Sequence, residues 1–162
     1  MPNTIRQQII EEIKSRLAVI TKDNGYQTDA GMVLYYGRLQ APVPQELPAI
    51  NIWDVDETMA REFGIRSRRF TLNIEAYISS QDLALPELGN ILRADLEKAL
   101  LRKALDQDKI DETFNNLVQY FDFIRSEVFL LEGPERIGGV VMEFAVVYQQ
   151  ALGDPYAIEG LS

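Results

Sequence analysis

The chain has neither cysteine nor histidine in its 162 residues. Without cysteine there is no disulfide framework and no thiolate metal site, so stability rests on packing. Without histidine the usual general base near neutral pH and the commonest imidazole ligand are also missing. An enzyme would have to run on carboxylates, Lys, Tyr or Ser. The six serines, Ser15, Ser67, Ser79, Ser80, Ser126 and Ser162, have no histidine to activate them and no Gly-x-Ser-x-Gly elbow to sit in. Phosphate loops of the Gly-x-Gly-x-x-Gly or Gly-Lys-Ser/Thr kind are absent as well. No stretch approaches the roughly 20 apolar residues needed to span a bilayer, and the first ten residues lack the apolar core of a signal peptide. These absences predict cytoplasmic synthesis, no membrane insertion, and no catalytic, metal or cofactor site.

Positive charge is scarce in the second half. Residues 1–80 hold 9 Lys/Arg against 10 Asp/Glu, residues 81–162 hold 7 against 15, and the formal net charge is -9. Such a surface repels polyphosphate, which argues against a broad or sequence-specific nucleic-acid interface.

What is present is 46% hydrophobic residues, enough for one continuous core in a chain of single-domain size. Ile5, Ile9, Ile13, Leu17 and Ile20 recur at helical spacing with Arg6, Gln7, Glu11, Glu12 and Lys14 between them, which predicts an amphipathic helix capped by Thr4 or Asn3. Met32–Tyr36 and Ala49–Val55 read as strands, separated by a loop carrying Pro42, Pro44 and Pro48. From Arg68 to Ser79 strict alternation puts Phe70, Leu72, Ile74, Ala76 and Ile78 on one face and Arg69, Thr71, Asn73, Glu75 and Tyr77 on the other, the pattern of a half-buried antiparallel strand. Pro86 opens a second amphipathic helix, whose apolar stripe from Leu88 to Leu105 predicts an end near Asp106. Leu117–Ile124, Glu127–Leu131 and Val140–Tyr148 are strand-like, the last two joined as a hairpin by a turn over residues 133–139 that includes Gly138 and Gly139. The order predicts an α+β fold, a mostly antiparallel or mixed sheet of about six strands with both helices on one face. Residues 1–150 form the domain, and residues 151–162, which have no period, form a C-terminal tail.

Three groups of residues are candidates for function. Asp54, Asp56 and Glu57 cluster at a strand end, where grouped oxygens suit a hard cation, but the glycine and terminal Glu of a calcium loop are missing, so they read as a solvated strand end. Arg61, Arg66, Arg68 and Arg69 are the one local concentration of positive charge. They are either a solvated strand start balanced by Glu57 and Glu62, or intersubunit or partner contacts, since Arg is enriched at interfaces and pairs with carboxylates that the second half has in excess. The second reading makes Arg66, Arg68 and Arg69 interface candidates. Trp53 and Tyr77 join them, because each falls on a strand face otherwise polar, as on a surface buried on assembly.

The opening helix Ile-Arg-Gln-Gln-Ile-Ile-Glu-Glu-Ile, the Pro-Ala-Ile-Asn-Ile-Trp strand, the long Arg-Arg-Phe-Thr-Leu-Asn-Ile-Glu-Ala-Tyr-Ile strand leading into a Leu-rich helix, and the final Gly-Gly-Val-Val-Met-Glu-Phe-Ala-Val-Val-Tyr strand follow one another over roughly residues 1–150. This layout resembles the tail terminator or tail completion proteins of long-tailed bacteriophages. The resemblance implies a virion structural protein without an active site, made in the host cytoplasm and located in the tail or neck. It would form a homo-oligomeric ring, often a hexamer, that binds the last ring of the tail-tube protein and presents a surface to the head–tail connector. Another phage neck protein, or a non-viral adaptor that binds a protein partner through its sheet edge, fits the same layout.

Overall fold

A computed structural model describes residues 2–62, 65–79 and 83–158. Helix α1 spans Ile5–Leu17, with the Thr4 hydroxyl accepting from Gln7 N at 3.1 Å as its N-cap. Ile5, Ile9, Ile10, Ile13 and Leu17 form its buried stripe, and Lys14 and Arg16 sit in the last turn, where cations suit the carbonyl end. The helix stops three residues before Ile20, which still reaches the core through a turn. Gly31 makes that turn possible: a Cβ there would lie 2.2 Å from the Leu17 carbonyl oxygen.

The sheet runs β1 (Leu34–Tyr36), β2 (Ala49–Asp54), β4 (Ile65–Ser79), β8 (Ile137–Tyr148), β7 (Tyr120–Leu130), with β3 (Thr58–Glu62) pairing β4 beyond the end of β2. β1 pairs β2 in parallel, and every other pair in this sheet is antiparallel. The alternation read in β4 sets the layers. Phe70, Leu72, Ile74 and Ala76 are fully buried in one cluster with the stripes of α1 and of α2 (Leu85–Leu101) and with Val140, Met142, Phe144, Val146 and Tyr148 of β8. The fold is thus α+β, a mixed six-stranded sheet with both α-helices on one face, and among the described residues the opposite face carries no α-helix.

The structure departs from the sequence expectations at four places. Helix α2 ends at Leu101 rather than near Asp106, because Arg102 is extended (φ -114, ψ 149) and the chain turns into the ribbon β5 (Arg102–Lys103) and β6 (Asp106–Ile110). Leu105, which continued the apolar stripe, is fully exposed between those strands. The two expected strands Leu117–Ile124 and Glu127–Leu131 are one strand, β7, with a register shift between Phe123 and Arg125 that leaves Ile124 as a bulge. β3 was not expected, since Thr58–Glu62 has no apolar alternation and forms by pairing with β4. Gly138 and Gly139 belong to β8 rather than to the turn, and a Cβ on Gly139 would lie 2.3 Å from the Ala76 carbonyl oxygen and 2.4 Å from the Phe129 ring.

Before β7 the chain makes a turn in which Phe114, Asn115 and Asn116 all have positive φ, of 50°, 59° and 65°. At the other end Ala151–Ile158 folds back on the domain. Ala151 N donates to the Ala157 carbonyl at 2.7 Å, Ile5 N donates to the Pro155 carbonyl at 2.9 Å, and Ile158 packs against the core.

Candidate functional site

The acidic cluster at the end of β2 lies among cations and donors. Asp54 accepts from Arg6 Nε at 2.8 Å and from the Tyr36 hydroxyl, and Asp56 accepts from Thr71 N at 2.9 Å. Glu57 accepts from Tyr148 and lies 3.1 Å from Arg68 and 3.3 Å from Arg6. Burial opposes ionisation of Glu57, but the bonds from Tyr148, Arg6 and Arg68 outweigh it and hold its pKa below the ordinary carboxylate value. Burial first, and then the bond to Asp54, push the Tyr36 phenol up to about 12. Asp54 and Glu57 share Arg6, while Asp56 caps the Thr71 amide, so the carboxylates are engaged by cations and donors of the chain itself. Among the described residues no three acidic side chains are grouped to hold a metal ion.

Arg68 is engaged within its own chain. Besides Glu57, Arg68 faces the Gln150 amide, which, with its oxygen assigned to the side toward the guanidinium, accepts from Nη2 and Nε at 3.1 and 3.2 Å. Arg69 projects from the opposite face of β4, exposed, within the field of Asp56. Arg66 lies on the face of Arg68, and no ion-pair partner for it is found among the described residues. Arg66 and Arg69 are therefore the two described arginines of the run with side chains available to a neighbour.

Trp53 and Tyr77 both lie on the face of the sheet that no helix covers. Trp53 is half-buried opposite Asn73, whose Oδ1 is buried without a hydrogen-bond partner. Tyr77 is only 7% exposed, because it packs edge-on against Phe129 across Gly139, ring centroids 5.3 Å apart. Its hydroxyl donates to Glu75, so Tyr77 chiefly shapes this face, while half-buried Trp53 and, on β7, exposed Tyr120 are aromatics it offers.

The most exposed apolar surface on the sheet was not singled out by sequence. Among the described residues no strand pairs with the outer side of β7, and this 11-residue edge presents Tyr120 at 63%, Phe123 at 56% and Ile124 and Leu130 at 43% exposure. An open groove of about 470 Å³ runs beside it toward α2, with Leu101, Phe121, Phe123 and Phe144 on its walls and Glu97 and Glu112 among its charged residues. Phe121 and Phe144 stack at 4.7 Å, and Arg93 Nε donates to Ser126 Oγ at 2.7 Å across the groove. The signal in the sequence was the adjacent pair Phe123-Ile124, two apolar residues where alternation allows one, which marks a bulged strand with apolar groups on both faces. Comparison of the sequence with protein-family models returns no match, and comparison with curated proteins returns none either.

Proposed function

We propose that the chain is a structural subunit that assembles with copies of itself, and that it serves as a phage tail terminator, a ring that caps the tail tube and meets the head–tail connector. The observation that carries the reading is the β7 edge, a long unpaired strand with exposed aromatic and aliphatic side chains. A soluble protein must cover such an edge or use it, because its open N–H and C=O groups template pairing with another chain. The sheet face around half-buried Trp53, opposite the two helices, is a second surface that an assembly contact would cover further. The resemblance of the layout to tail terminators supplies the cellular role.

Native mass spectrometry and electron microscopy of the purified chain, alone and mixed with the tail-tube protein, test the proposal. Rings that cap tube ends are expected. A chain that forms no ring and binds no tube end, under conditions where the tube polymerises, is not a terminator, and its edge then serves as an adaptor for an extended peptide.

A further inference from the structure

Besides the three-residue β1, the sheet has two free edges among the described residues, β3 and β7, which lie on opposite sides of it and differ in charge. β8 reaches β4 only as far as the Arg68–Tyr148 pair, so Ile65–Ser67 pair with β3 alone and the β3–β4 ribbon projects as an arm. A two-stranded ribbon with no further strand is marginally stable by itself. Among the described residues no strand pairs with the outer side of β3, as none pairs with the outer side of β7. In sequence, Thr58 to Arg69 holds four arginines against one glutamate. The β7 edge is acidic. Asp122 on the strand and Glu97 and Glu112 in the adjoining groove have no ion pair among the described residues and outnumber the groove's Arg93, which donates to Ser126, and Arg125 is already shared between Glu143 at 2.8 Å and Glu127 at 3.7 Å.

We infer that the β3–β4 arm of one copy lies along the β7 edge of the next copy, continuing the sheet from subunit to subunit. The inference rests on the self-assembly reading above and names its surfaces. β3 is five residues, about 17 Å at the usual rise, which matches the half of β7 on the Tyr120 side of the Ile124 bulge better than the whole strand. That half carries Asp122 and flanks the groove holding Glu97 and Glu112, so acids stand on both faces of the joined sheet. Arg69 and Arg66, on opposite faces of the arm, then each meet carboxylates. Met59, 60% exposed on β3, gains apolar cover from Phe123. Two acidic β7 edges brought together would repel instead, which disfavours a two-fold dimer. Because arm and edge are different surfaces, each added copy leaves one of each free, and growth ends only when the contacts close into a ring.

The test is a charge swap, read by native mass spectrometry and sedimentation on the full chain. Arg66→Glu with Arg69→Glu, and separately Glu112→Arg with Asp122→Arg, should each weaken self-association at least tenfold. All four changes in one chain should restore it. Circular dichroism and thermal unfolding check that each variant is folded, and the milder pair Arg66→Gln with Arg69→Gln, expected to weaken association in the same direction, covers the case in which a reversed chain is not. If the variants assemble like the parent, or the fourfold chain is no better than either pair, the arm–edge contact is wrong while self-assembly stands. A parent chain that stays monomeric alone and with tail tubes overturns both.

Discussion

Arg16 has no solvent exposure, yet it is a cation, and its surroundings explain how the core tolerates it. Its guanidinium donates to Glu12 at 3.0 Å, to Asp111 Oδ2 at 2.8 Å and to the carbonyl oxygens of Leu100 and Asp111 at 2.8 and 2.6 Å, and lies 4.2 Å from the Phe114 ring centre. One side chain thus ties α1 to the end of α2 and to the left-handed turn at Phe114–Asn116. That turn is unfavourable, since L-residues at positive φ cost about 1–2 kcal/mol each, less for Asn. Asp111 helps hold it by accepting from Thr113 N, Thr113 Oγ1 and Asn115 N. Burial alone would raise the Asp111 pKa, but these bonds and Arg16 outweigh it and hold the carboxyl well below the usual range. Arg16→Met should destabilise the protein by about 3–5 kcal/mol, the usual loss when one partner of a buried ion pair is removed. Denaturant unfolding at pH 7 measures this, and a loss under about 1 kcal/mol contradicts the hub role. A carboxylate with a depressed folded pKa contributes stability above its unfolded value, about 3.9, and loses that contribution as pH falls toward the folded value. The gap between parent and Arg16→Met should therefore narrow below about pH 4, and a gap that stays constant to pH 2 would place the loss in packing rather than charge.

At the scale of elements, Gly139 sets how closely β4, β8 and β7 lie. Tyr77 and Phe129 meet edge-on over it because it has no side chain. Gly139→Ala puts a carbon against the Ala76 backbone oxygen as well as the Phe129 ring, so repacking one side chain cannot relieve both contacts. The expected cost is about 1–3 kcal/mol, and Phe129→Leu in the same chain should recover only part of it. Full recovery in a double-mutant cycle would show that the ring alone, not the strand, sets the limit. The same glycine shows where sequence reasoning stops. β4 and α1 were legible because each buries one face and the period records it. Gly138-Gly139 looked like turn residues because glycine records only what the backbone tolerates, while the reason for it here is a ring on one neighbouring strand and a backbone oxygen on the other. Helix α2 was overextended for a related cause: Leu105 keeps the helical spacing, but Gln107, which accepts from Tyr26 and donates to the Lys103 carbonyl, helps fix a ribbon instead. β3 had no period to read, since a strand made by pairing alone leaves no apolar alternation.

For the whole molecule, the arginine run and the acidic second half were visible in composition, but which charges remain available was not. Arg68 is taken up by Glu57, a neighbour across the β3–β4 pair that the sequence offered, and by Gln150, a contact that depends on the chain passing through β8 and beyond, whereas Arg66 and Arg69 remain for a neighbour. In the assembly proposed above, a subunit with net charge -9 sets two electrostatic effects against each other. The whole subunit, with a radius of gyration of about 15 Å, repels its copies, and the basic arm attracts the acidic edge at contact. Salt separates them by range. At 0.01 M the screening length is about 30 Å, so a copy feels the full negative charge of its neighbour. Near 0.15 M it is about 8 Å, which removes most of the long-range repulsion and leaves charges a few ångströms apart interacting, and at 1 M it is about 3 Å, which weakens those too. Self-association measured by sedimentation should therefore strengthen from 0.01 to about 0.15 M salt and weaken again toward 1 M. Arg66→Gln with Arg69→Gln removes the local attraction, so association of that chain, weaker throughout, should rise with salt and show no later fall. Steady weakening of the parent from the lowest salt would mean that its net charge does not govern approach. Steady strengthening to 1 M would mean that apolar contacts such as Phe123 hold the subunits together without the arm.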